Sequence, residues 1–172
     1  MTQSDQNYVT QTNMNQASGN LPVFDTMDIF DLLGLGNLPP DQKSHVILGI
    51  TKEAIIRAID LLMENPSISN EIKVKFASIV DTETDPVKLQ ERLVELYPSL
   101  VNDVVEETQK LKMEMCLRQM KDIRNDFVNG LSSERTMEFS ALVENAQKMN
   151  DLNDRFGFYE NWLKYIEFKK TL

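Results

Sequence analysis

The segment "SLVNDVVEETQKLKMEMCLRQMKDIRNDFVNG", residues 99–130, is the longest unbroken helical pattern in the chain, with Pro98 in front of it and Gly130 at its end. Its core-facing side chains do not form one stripe. Leu100, Val101, Val104, Val105, Thr108, Leu111 and Met115 gather on one side of a helical wheel. Met113, Cys116, Leu117, Met120, Ile123, Phe127 and Val128 gather roughly 140° away. Heptad drift supplies only about 20° per seven residues. No Gly or Pro lies near residues 112–115 to kink the helix. The pattern therefore predicts one straight helix whose two halves serve two cores. It divides the chain into an N-terminal helical unit, residues 23–112, and a C-terminal helical extension, residues 113–172, that shares the long helix.

Upstream, "FDLLGLGNLPPDQKSHVILGI", residues 30–50, sets two glycines and two prolines between apolar runs. Asp25 is placed to cap a short helix through Leu33, which Gly34 and Gly36 end. A phosphate loop would follow a strand and offer backbone N–H groups at a helix start. Here the glycines follow a helix, and two prolines remove donors from the turn, so the stretch is a corner. Pro39 and Pro40 open a helix over about 40–64, because a first turn tolerates the missing N–H. Its Val46, Ile47, Leu48, Ile50, Ala54, Ile55, Ala58, Ile59, Leu61 and Leu62 cover more than half the wheel, which predicts the most buried helix of the protein.

The next helix is expected near 69–80, with Ile72, Phe76, Ile79 and Val80 facing inward. Asp85 caps another that has Pro86 at its first position and Leu89, Leu93, Leu96 and Tyr97 as its stripe. Beyond Gly130, Ser132 or Ser133 caps a helix carrying Phe139, Leu142, Val143, Ala146 and Met149. Gly157 interrupts or bends it before a last helix that ends in "WLKYIEFKK". No alternation of strand period and no internal repeat is present. The fold class is all-α: a helical bundle of five to seven helices with one long central helix and a C-terminal helical hairpin.

Composition narrows the function. A net charge of −9 disfavours nucleic acid and anionic membrane surfaces, both of which select basic proteins. With one cysteine, Cys116, no internal disulfide can form. No basic-then-apolar leader and no run long enough for a membrane span is apparent, so a cytoplasmic location is expected. Residues 1–22 are rich in Gln, Asn, Ser and Thr with one charge, Asp5, and are expected to form a disordered polar tail.

Candidate chemistry is sparse. His45, the sole histidine, has Gln42 three residues earlier, so no Glu-x-x-His motif is present. Asp81, Glu83 and Asp85 begin like a calcium loop, but Pro86 and Arg92 stand where that loop needs Gly and Glu. Cys116 lies on an apolar face without a histidine near it in sequence. Glu106 with Glu107, and Glu134 with Glu138, are carboxylate pairs of the kind acidic helices carry to solvent. No catalytic, cofactor-binding or metal-binding residue is assigned. Six of the thirteen aromatic residues fall between Phe156 and Phe168. Phe158, Trp162 and Ile166 recur at helical spacing, whereas Tyr165 and Phe168 fall outside that stripe. Tyr159, Trp162, Tyr165 and Phe168 are the candidate partner-binding residues, with core packing as the alternative.

"FDLLGLGNLPPDQK" (30–43), "AIIRAIDLL" (54–62) and "DPVKLQERLVELYPSLVNDVVEE" (85–107) resemble a family of small helical bacterial domains of unknown function, over about residues 24–112. The resemblance implies a compact helical domain and carries no activity or site residue. The expected function is a non-enzymatic protein–protein interaction or assembly module, whose partner is another protein or a second copy. Neither a small-molecule ligand nor a cofactor is expected. The alternatives are an acidic inhibitor that mimics nucleic acid, and a small enzyme with a site invisible in sequence.

Overall fold

The computed structural model describes residues 23–127 and 130–171. The expected polar tail, residues 1–22, and Val128 lie outside the described residues, as does the side chain of Phe127. Within them the fold is all-α, with eight helices and no strand: α1 (Val23–Thr26), α2 (Ile29–Leu33), α3 (Pro40–Glu64), α4 (Asn70–Thr82), α5 (Pro86–Leu96), α6 (Leu100–Phe127), α7 (Ser133–Asp151) and α8 (Arg155–Lys169). The central helix α6 runs unbroken, and α7 with α8 forms the C-terminal pair.

Local chemistry sets the boundaries. Asp85 accepts from the amides of Val87 and Lys88 at the start of α5, and Ser69 and Ser132 cap α4 and α7 in the same way. Two boundaries differ from the sequence expectation. The first helix is two short ones, because Asp28 rather than Asp25 supplies the cap. Its carboxylate accepts from Phe30 N at 2.7 Å, which starts α2 afresh, and Gly34 closes α2 at φ 68°. The break between α7 and α8 lies at residues 152–154, where Asn153 adopts φ 52°, and not at Gly157. Gly157 sits in the first turn of α8, where its N–H donates to the capping carboxylate of Asp154. A Cβ at Gly157 would collide with that carboxylate.

The buried apolar side chains form two clusters. One joins Ala58, Leu62, Phe76, Leu93 and Leu100, with Ile72, Ile79, Leu89, Leu96, Tyr97 and Val104 packed around them. The larger joins Met113, Cys116, Leu117 and Met120 of α6 to the apolar faces of α7 and α8. It also takes in Phe24, Ile29, Phe30, Leu32 and Leu33, so α1 and α2 pack with the C-terminal helices as well as with residues of α3 and α6. Two helices, not one, span both clusters. Val46 and Ile50 of α3 reach the larger cluster and Ala58 and Leu62 the smaller, so α3 runs antiparallel to α6.

The expectation that α3 is the most buried helix is corrected. Only Ala54, Ala58 and Leu62 are buried, while Ile47, Leu48, Ile56, Leu61 and Met63 are exposed. The small side chains of Ala54 and Ala58, one turn apart, mark the line of close approach to the neighbouring helices. Among the described residues, neighbours cover that side and partly cover Val46, Ile50, Ile55 and Ile59, while Ile47, Leu48 and Leu61 of the apolar arc are exposed.

Candidate functional site

The aromatic cluster is core. Tyr165 is completely buried, and Trp162 and Phe168 retain 2% and 4% of their surface, while Tyr159 is half-buried against the same cluster. Phe168 stacks on Phe139 at 5.3 Å and lies under the Arg135 guanidinium at 4.0 Å. Trp162 and Tyr165 lie 4.8 Å apart, centroid to centroid. The assignment of Trp162, Tyr165 and Phe168 to a partner surface is therefore corrected, for a physical reason. Phe158, Asn161, Trp162, Tyr165 and Phe168 recur at i, i+3, i+4, i+7 and i+10, which is one face of a helix. A polar residue within that arc conceals it. Asn161 is tolerated there because its Nδ2 donates to Leu142 O at 2.8 Å.

The candidate reactive groups are occupied or inert. His45 is exposed, with Nδ1 at 2.8 Å from Asp41 O one turn earlier. Cys116 is fully buried, and burial pushes its thiol up to about 12, so no thiolate forms near neutrality. Tyr165 beside it is likewise pushed up to about 12, mainly by burial, and its hydroxyl has no partner among the described residues. Asp85 is a helix cap, and Glu83 pairs with Arg92 at 3.6 Å. No group of three His, Cys, Asp or Glu side chains able to hold a metal occurs among the described residues.

Sequence reasoning missed a polar junction where α1, α6 and the α7–α8 turn meet. Arg155 donates to Asp25 Oδ2 and to Glu106 Oε2, both at 2.7 Å, and Asn153 Nδ2 donates to Glu106 Oε1 at 2.7 Å. The left-handed backbone of Asn153 turns its side chain back onto α6. Lys112 donates to Asp25 O at 3.2 Å and Met27 O at 2.9 Å, and burial holds its pKa below the usual lysine range. Asp25 Oδ1, Gln109 Oε1 and Asn153 Oδ1 are buried without partners among the described residues. With Arg155 and Lys112 balancing Asp25 and Glu106, the junction offers neither net negative charge for a cation nor a free nucleophile. It works as a fastening. The only sequence signal for it was Asp25 itself, which is equally well read as a cap.

On another face, α3, α5 and α6 leave an aliphatic cleft of about 120 Å³, lined by Ile55, Leu93, Val94, Leu100, Val104 and Val105, with Gln90 and Val101 at its edge. A cavity of about 150 Å³ holds a benzene ring, so this one accommodates a branched aliphatic side chain. Val101 and Val105 are 45% and 53% exposed, and Val87, on the same flank of α5 as Gln90 and Val94, is 65% exposed.

No family model, curated protein or solved structure matches the chain. No helix among the described residues is long and apolar enough to cross a membrane.

Proposed function

We propose that this chain is a non-enzymatic helical protein-interaction or assembly module of the cytoplasm, and that it docks a partner through the α3–α5–α6 cleft rather than through the aromatic C-terminus. The observation that carries this reading is a concave aliphatic surface flanked by exposed valines. Contiguous exposed apolar surface of this kind marks interaction sites, and a pocket that takes one apolar anchor is where binding energy concentrates. The partner is a protein that presents an amphipathic helix with a branched aliphatic anchor, the usual occupant of a groove between helices. Nucleic acid is disfavoured by the charge, and no small-molecule substrate or cofactor is assigned. An acidic decoy draws support from the net charge alone. Nine carboxylates are already engaged by Lys or Arg: Asp25, Glu53, Glu71, Glu83, Glu106, Glu107, Glu114, Glu138 and Glu167.

The test is Val101→Ser combined with Val105→Ser in the full chain, with helicity followed by circular dichroism and association by sedimentation and affinity capture. Loss of specifically captured proteins with unchanged helicity supports the cleft. An unchanged set of partners, lost instead by a variant elsewhere, refutes it.

A further inference from the structure

The N-terminal helices are bound to the rest of the molecule as a peptide is bound to a receptor. With four and five residues, α1 and α2 are far too short to be stable alone. Their order comes from Phe24, Ile29, Phe30, Leu32 and Leu33, all 8% exposed or less in the larger cluster. Their main chain is held by side chains of α6: Gln109 and Lys112 donate to Asp25 O, Lys112 also to Met27 O, and Gln119 to Leu33 O at 3.0 Å. Arg155 adds the ion pair to Asp25, and Lys43 in the first turn of α3 lies over the Phe30 ring at 5.4 Å. Every one of these groups belongs to residues 40–171. Six residues, Gly34 to Pro39, connect the segment to that body, and they span at most about 20 Å when extended.

We propose that Phe24–Leu33 exchanges between two copies of this chain, each segment seating in the other's α6–α8 groove to give a two-fold dimer. The groove fixes the occupant: this chain's own segment fills it, with its carbonyls and apolar side chains matched. All contacts within the groove are retained on exchange, so closed and exchanged forms differ only in the connecting residues and in the entropy of association. Closure within one chain is favoured by an effective concentration in the millimolar range. The wild type is therefore monomeric at micromolar concentration and populates the dimer near millimolar. The exchange uses a different face from the aliphatic cleft and stands whether or not that cleft binds a partner.

Gly34 supplies the test. It has φ 68° in the closed form, and a Cβ there would meet nothing within 4 Å. Gly34→Val therefore penalises the closed connection through its backbone alone, while an extended connection relieves the penalty. The gain is roughly tenfold per connection, hence roughly a hundredfold in the dimerisation constant. The full-length variant, and wild type refolded at about 1 mM, are examined by light scattering. Each is then mixed between ¹³C-labelled and unlabelled chains. The close Phe24–Phe158 ring pair, 5.6 Å apart, reports which chain supplies the segment. A dimer in which the Phe24–Phe158 nuclear Overhauser effect runs between chains, and which survives Val101→Ser with Val105→Ser, is the expected result. Monomers in both preparations overturn the proposal, as does a dimer in which that effect stays within one chain. If Gly34→Val does not fold, the refolded wild type decides alone.

Discussion

Replacing Arg155 with Met tests whether the polar junction fastens the molecule or merely decorates it. Two charge-assisted hydrogen bonds, each of 2.7 Å, are lost at once. The two are not equal. The Asp25 side chain is 6% exposed and Glu106 38%. Deleting a cation that neutralises a fully buried carboxylate costs about 3–5 kcal/mol, whereas an exposed pair is worth about 0–1 kcal/mol. Arg155 keeps 22% of its own side-chain surface, so part of the larger cost is returned by water reaching Asp25. The expected loss is about 2–4 kcal/mol, nearly all of it through Asp25. For a chain of this length that lowers Tm by roughly 5–12 °C. Lys75→Met serves as the control, since Lys75 and Glu71 form an exposed i,i+4 pair at 2.8 Å and its loss should leave stability nearly unchanged. Urea unfolding followed by circular dichroism reads both. Arg155→Lys should fall between them, because an ammonium cannot bridge two carboxylates as the guanidinium fork does. Equal losses for Arg155→Met and Lys75→Met would refute the reasoning.

Three further outcomes are expected. Tyr165→Phe removes a buried hydroxyl with no partner among the described residues, so stability should be unchanged or rise by up to about 1 kcal/mol; a loss above about 1 kcal/mol in urea unfolding would show that the hydroxyl is bonded. Gly157→Ala should destabilise by about 1–2 kcal/mol, because the new Cβ displaces the Asp154 cap, reversing the gain of about 1 kcal/mol that alanine normally brings inside a helix; a raised Tm would contradict this. Cys116 has its folded pKa raised from 9 to about 12, so between those values the unfolded chain releases a proton that the native chain keeps, and stability falls as pH rises. The loss is about 1.4 kcal/mol at about pH 10, and it should vanish from the pH dependence of Cys116→Ala; parallel curves for the two proteins would refute it.

Periodicity and capping made most of the fold legible in the sequence. Asp85, Pro86, Pro40 and Gly34 act where local chemistry places them, because a cap or a left-handed turn is decided within four residues. Burial was legible only where neighbours surround an element. Ile47, Leu48 and Leu61 look like core residues in a wheel of α3, yet no helix among the described residues buries them. Conversely, Asn161 looks like a surface residue and hid the continuity of the α8 face from Tyr165 to Phe168. The junction at Arg155 was not legible at all. It joins Asp25 and Glu106 across sequence separations of 130 and 49 residues, and such pairing leaves no periodic trace.

The seam between the two clusters explains how α6 can change faces without a kink. Leu100 and Val104 serve the smaller cluster, and Met113 onward serves the larger. The residues in between are largely polar, and Glu107, Gln109 and Leu111 among them are buried. Glu107 is 4% exposed and paired with Lys110 at 2.6 Å, Gln109 is 7% exposed, and Glu114 accepts from both terminal nitrogens of Arg57 at 2.6 and 2.9 Å. Apolar packing in this stretch would tolerate sliding of α3 along α6, because it is not directional. A bidentate guanidinium–carboxylate pair does not. With small Ala54 and Ala58 on the buried side of α3, that pair fixes the register of the two helices that reach both clusters. The surface of α3 left uncovered by this arrangement is also what keeps Ile55 available to the cleft.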